Sequence, residues 1–200
     1  MPDRSPELQH FIEVAGRAFA DRAPQGAAQA SVRAVFAALE VPAPADPTPG
    51  RRRAVCDWLD PVTDPEGVSD PLLAELCGAF RAVEPALTWR QRPGPAPGAN
   101  AQYREGHANA MIAGPSGLEP RDDVWLGVSL LGPEVRYPDH DHPPEETYLV
   151  LTPGRFFQDG AGWFEPGPGG SFYNRPGILH AMAAGASPLL ALWALRPETG

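Results

Sequence analysis

The spacing of apolar residues changes period near the middle of the chain. From Ser5 to Pro85 apolar residues return every three or four positions, the mark of helices with one buried face. Ser5-Pro6 is a cap and first-turn pair, followed by Leu8, Phe11, Ile12, Ala15 and Phe19 along one stripe. Val32, Val35, Phe36 and Leu39 repeat the pattern until Pro42 stops it. Asp70-Pro71 opens a third helix carrying Leu72, Leu76, Phe80 and Val83, closed by Pro85, and a short helix fits 54–59. The segment RPGPAPGAN, 92–100, then breaks the chain. Beyond it, short apolar runs bounded by glycine and proline predict strands over roughly 124–131, 134–138, 146–152, 154–158, 170–174, 178–183 and 189–195. The expectation is a mainly β protein: a helical segment over 1–91, then a small barrel or sandwich over 92–200.

Composition agrees and removes some partners. The 26 prolines and 21 glycines suit many turns rather than a helical bundle. A formal charge of −9 repels a phosphate backbone on average, and Arg51-Arg52-Arg53 is the one basic run, so nucleic acid is not an expected partner. No apolar stretch approaches membrane-spanning length, and the first residues lack a signal-peptide pattern. Cys56 and Cys77 have no metal-finger spacing and read as reduced thiols of a cytoplasmic protein.

Chemistry concentrates in DHDHPPEETY, 139–148. Alternation along a strand would put His140 and His142 on one side. Pro143-Pro144 makes a bend, and past it Glu146 and Tyr148 again share a side. His180 sits in NRPGILHAM between Leu179 and Met182, where an unpaired imidazole is costly. Each piece has a plainer explanation: H-x-H beside Asp139 and Asp141 as a hydrated loop, His180 as a core histidine bonded to a carbonyl. Together, three of five histidines and a glutamate in glycine-bounded strands favour a metal site. Three nitrogens and a carboxylate oxygen suit one divalent transition metal ion (Zn, Fe, Mn, Co or Ni) and leave coordination positions open. His10 and His107 stand without such partners.

These residues resemble the cupin family of small β-barrels, whose pattern is G-x5-H-x-H-x3-E-x6-G followed by P-x-G-x2-H. Here H-D-H-P-P-E-E, Gly177 and His180 fit, while Gly132 and Gly154 are displaced and Arg175 replaces the proline. Over about 120–196, HPPEETYLVL, WFEPGPGGS, ILHAM and PLLALWAL look like the cupin-type dimethylsulfoniopropionate lyases, in the form that has helices before a single barrel. The resemblance implies His140, His142, Glu146 and His180 as metal ligands and Tyr148 as the base removing an α-proton. Tyr137 matches a second tyrosine near the substrate. The implied substrate is a small zwitterion with a carboxylate and a dimethylsulfonium, cleaved by β-elimination to dimethyl sulfide and acrylate. A free phenol ionises near pH 10, so Tyr148 would need a neighbouring cation to act as a base at neutral pH. Aromatic faces suit a sulfonium, and Tyr137 is the one aromatic assigned that contact. Trp125, Trp163, Tyr173 and Trp193 also lie in the barrel half and any of them could serve, although aromatic residues in a small barrel are more often core. The residues leave other readings open: a dioxygenase, isomerase or different lyase on the same metal, or a ligand-binding cupin without catalysis. They also leave open whether the helices pack on the barrel or form a homodimer interface.

Overall fold

A computed structural model describes residues 4–45 and 49–197. The helices are α1 (Pro6–Arg22), α2 (Ala27–Leu39), the single turn α3 (Leu59–Val62), α4 (Pro71–Val83) and the single turn α5 (Tyr103–Gly106). Eight strands follow: β1 (His107–Ala113), β2 (Trp125–Leu131), β3 (Glu145–Val150), β4 (Arg155–Gln158), β5 (Gly162–Phe164), β6 (Ser171–Asn174), β7 (His180–Ala183) and β8 (Leu189–Arg196). The long helices begin as their sequences direct. Ser5 accepts from the Leu8 amide at 3.2 Å, and Asp70 accepts from the Leu72 and Leu73 amides at 3.0 and 3.1 Å, each just before a proline.

The strands form two antiparallel sheets, β1-β2-β8-β3-β6 and β5-β4-β7. Together they make a cupin barrel preceded by helices, as expected. The five-stranded sheet separates two apolar layers, and period-two alternation assigns each side chain to one of them. Leu126, Val128 and Leu130 of β2, with Leu190, Leu192 and Ala194 of β8, face the helices, joining Phe11, Phe19 and Phe80 in one core. Leu131, Tyr148, Val150, Ala191, Trp193 and Leu195 face the barrel interior. Burial on both faces is why β2 and β8 read as nearly unbroken apolar runs. The helices therefore cover the outer face of the sheet. No helix among the described residues is long and apolar enough to cross a membrane, and both cysteines are buried and free.

Three local readings change. Residues 134–138 do not form a strand: this segment meets β7 through the single bridge Arg136–Ala183, interrupted by Pro138. HANAMIA is strand β1, although alanine and asparagine are poor strand formers; six residues paired with β2 outweigh local preference. β5 is only three residues long, too short for alternation to reveal.

One ion pair ties the first turn of the chain to the barrel. The Arg4 guanidinium meets Glu119 at 2.6 and 2.7 Å, with both side chains almost fully buried. Arg121 reaches the same carboxylate at 2.7 Å and also grips Asp123. Burial alone would raise the Glu119 pKa, but its hydrogen bonds, led by Arg4, outweigh that and hold it below 4.5. Arg4→Ala should cost about 2–3 kcal/mol in urea unfolding, since it removes two charge-assisted hydrogen bonds and leaves Arg121 alone to hold the buried carboxylate. Because the folded pKa is depressed, the Glu119 contribution is complete above pH 4.5 and is lost as pH falls through the folded value. Glu119→Gln should flatten that part of the acid unfolding curve; an unchanged curve would mean that other carboxylates govern it.

Candidate metal and substrate site

The proline-rich loop before β3 and the start of β7 bring the three histidines together. His140 and His180 form an antiparallel bridge, exchanging main-chain hydrogen bonds of 3.0 and 2.9 Å, and their ring centroids are 4.1 Å apart. His142 lies outside any strand, so strand alternation is not what aims it. Its ring is 5.0 Å from that of His180 and 6.1 Å from that of His140. One imidazole nitrogen from each of the three lies within 4.8 Å of the others. Glu146, in β3, places Oε2 3.4 Å from His142 Nε2 and 3.3 Å from His180 Nε2.

The imidazoles share one anchoring device. His140 Nδ1 contacts the Pro138 carbonyl, His142 Nδ1 that of Pro144 and His180 Nδ1 that of Ile178, each at 2.9 Å and each two residues away in sequence. A carbonyl only accepts, so each Nδ1 carries the proton and each neutral ring turns a bare Nε2 lone pair inward. Among the described residues the buried His180 Nε2 has no hydrogen-bond partner, although Glu146 Oε2 lies 3.3 Å away. Asn174 Nδ2 donates to Glu146 Oε2 at 3.0 Å, and Gln158 Nε2 donates to Asn174 Oδ1 at 2.7 Å, fixing which end of the amide faces the carboxylate. The result is a cluster of acceptors facing one another, a donor set that a cation fits.

Charge follows from this packing. Burial opposes the Glu146 charge, but the adjacent His142 and His180 imidazoles prevail and hold the carboxyl well below its usual range. Burial, reinforced by His180, pushes His140 down to about 4. Burial would lower His142 as well, yet the adjacent Glu146 carboxylate outweighs it and raises the value. Tyr148 is buried on β3 with its ring stacked on Phe172 at 5.0 Å. Burial first, then the Glu146 charge, push its phenol well above 10.0. Tyr137 is pushed up too, chiefly by burial. Protein groups alone therefore keep both phenols neutral, and an anionic Tyr148 needs positive charge nearby.

His140, His142, Glu146, Tyr137 and Tyr148 line one cavity of about 530 Å³, and His180 stands directly behind it. Sequence reading missed several of its other lining groups. Asn109 of β1, Ser129 of β2 and the indoles of Trp125 and Trp193 reach it from the five-stranded sheet. The available signal was a polar residue on the inward register of an otherwise apolar strand, as in HANAMIA and WLGVSLL. His107 belongs to the supporting wall: it is buried, stacked on Tyr103 at 3.9 Å, and accepts from the Arg92 amide at 3.0 Å.

A cupin barrel with an inward cluster of three imidazoles and a carboxylate defines the class. The chain belongs to the dimethylsulfoniopropionate lyase family, whose sequence profile matches residues 27–191. It is 31% identical over 117 residues to the "Putative dimethylsulfoniopropionate lyase DddL" of Cereibacter sphaeroides. That match covers 58% of this chain and 48% of the relative, so the chain spans about half the length of that protein. The DMSP lyase DddQ from Ruegeria pomeroyi DSS-3 superposes with a TM-score of 0.69 at 24% identity, over 98% of this chain and 95% of that one. A crystal structure from work on the DMSP lyases RdDddP and RnDddQII gives 0.69 at 23% identity, over 96% and 93%. Both share the fold, helical layer included.

Trp193 shows how tightly the cavity wall is built. Its indole N–H donates to Ser129 Oγ at 3.0 Å, and its ring lies over Gly127, where a Cβ would come within 2.1 Å of the indole. Gly127→Ala should push the indole into the cavity, seen as a shifted tryptophan emission maximum. Unchanged emission would show that the ring has room to move aside.

Proposed function

We propose that this protein is a metal-dependent carbon–sulfur lyase that cleaves dimethylsulfoniopropionate to dimethyl sulfide and acrylate. The observation that carries this reading is that Tyr148 lines one cavity with His140, His142 and Glu146, while His180 joins the same imidazole cluster, in a chain of the lyase family. His140, His142, His180 and Glu146 would hold one divalent transition metal ion. Bound there, such an ion supplies positive charge that lowers the Tyr148 pKa and offsets charge developing on the substrate carboxylate.

The chain's own groups then divide the work. Tyr148, as phenolate, takes the proton from the carbon next to the carboxylate. The electron pair of that C–H bond becomes the C=C bond of acrylate as the C–S bond breaks, and dimethyl sulfide leaves as a neutral molecule. The proton remains on Tyr148 Oη and returns to solvent. Burial of Tyr148 keeps water from competing for it. The sulfonium has no hydrogen-bond donors and is best received by aromatic faces, and the indoles of Trp125 and Trp193 line the cavity for that purpose. Redox change is absent from this scheme, so several divalent metals should support it.

Metal-loaded protein incubated with dimethylsulfoniopropionate should release dimethyl sulfide, read by headspace gas chromatography against a no-protein blank. Tyr148→Phe should lower the rate by about 10²–10⁴-fold while leaving bound metal unchanged. Silence of the wild type with Mn, Fe, Co, Ni and Zn would sink the substrate assignment.

Asn174→Ala frees the Glu146 carboxylate from its tether and should weaken metal affinity by about 10–100-fold, measured by competition with a chromophoric chelator. Equal affinity in this variant would mean that Glu146 is oriented without Asn174, or does not bind the metal.

A further inference from the structure

Tyr137 is enclosed by rings. Tyr103 meets it edge-on at 5.4 Å, His107 at 5.5 Å and His140 at 5.2 Å, and its residue exposure is only 3%. Three aromatic neighbours leave little of its face for a sulfonium, so its hydroxyl is what it can offer the cavity. That hydroxyl has one described hydrogen bond, from Asn109 Nδ2 at 2.8 Å. An oxygen that accepts from Asn109 keeps its own proton for another partner. Asn109 is itself held firmly: its main chain exchanges two hydrogen bonds of 2.8 Å with Arg90, and its side chain lines the cavity beside Tyr137. Among the described residues Asn109 Oδ1 has no hydrogen-bond partner, so the 2.8 Å contact with Tyr137 is the one described hydrogen bond of the side-chain amide.

We propose that Asn109 is a positioning residue that holds Tyr137 as a hydrogen-bond donor toward the substrate carboxylate. This rests on the lyase reading for the identity of the substrate. The direction of the Asn109–Tyr137 hydrogen bond is a separate property of the protein. Without Asn109, the Tyr137 proton is free to turn along the wall, and the carboxylate loses a charge-assisted partner. Binding is affected more than the elimination step, because the carboxylate is present before and after C–S cleavage.

The test uses full-length metal-loaded protein and four variants: Asn109→Asp, Asn109→Ala, Tyr137→Phe and the Asn109→Asp/Tyr137→Phe double variant. An aspartate can only accept from Tyr137, and so draws the hydroxyl proton away from the cavity. Asn109→Asp should therefore match Tyr137→Phe, each with KM for dimethylsulfoniopropionate raised roughly 10–100-fold and kcat changed less. The double variant should be no worse than either single one. Full retention of KM in Asn109→Asp, with loss only in Asn109→Ala, would overturn the proposal, because Asn109 would then be accepting from Tyr137. Comparable folding of all variants is checked by thermal unfolding. The side-chain amide resonances of Asn109 in a 15N-edited spectrum give a readout independent of turnover: Tyr137→Phe should move the proton signals, and stationary signals would refute the bond. If the wild type releases no sulfide while these resonances move, the lyase reading fails and the bond direction stands.

Discussion

Burial of the five-stranded sheet on both faces is the constraint on which the rest depends. A slip of one residue in β3 would turn Glu146 and Tyr148 toward the helices and bring Leu149 into the cavity, and one in β8 would exchange Trp193 for Leu192. The slip in β3 would bury a carboxylate in an apolar layer, at a cost of several kcal/mol. The helical layer is therefore part of what aims the site. By covering one side of the sheet it makes the inward register of the other side unique. The Arg4–Glu119 pair pins the beginning of that layer to the loop between β1 and β2.

Within this frame the cluster is built by subtraction of hydrogen bonds. Three carbonyls, those of Pro138, Pro144 and Ile178, take up the Nδ1 protons. What remains is a set of inward lone pairs around a carboxylate that is itself oriented through Asn174 and Gln158. The same economy recurs at Asn109 and Tyr137, where one short contact decides the role of a hydroxyl. In both places a group outside the cluster determines what the group inside it can do. The high proline content has a specific use here: two of the three anchoring carbonyls belong to prolines, whose restricted backbone holds the acceptor in place.

Much of this was legible along the chain. The helices were readable because Ser5-Pro6 and Asp70-Pro71 are strong starts and because three- and four-residue apolar spacing survives without neighbours. The donor set was readable because histidines are few and a buried imidazole between apolar residues demands a partner. Strand β1 was not, since HANAMIA owes its conformation to β2, and neither was the role of 134–138, whose contact with β7 is a single bridge. His107 looked idle in sequence, yet it closes the wall behind Tyr137 through contacts with Tyr103 and Arg92, of which only Tyr103 is near in sequence.

By itself the sequence determined the class of fold, the order of helices before strands, and the identity of the groups that meet at the site. These depend on local periodicity, on capping and on the chemistry of rare residues, all of which are properties of short segments. Only the tertiary structure decided that the helices cover the sheet, that Asn109, Asn174 and Trp193 lie at the site, and that Tyr137 is bonded to Asn109. Those outcomes depend on which strands pair and which rings pack, and such contacts join residues far apart in the chain, where no local pattern records them.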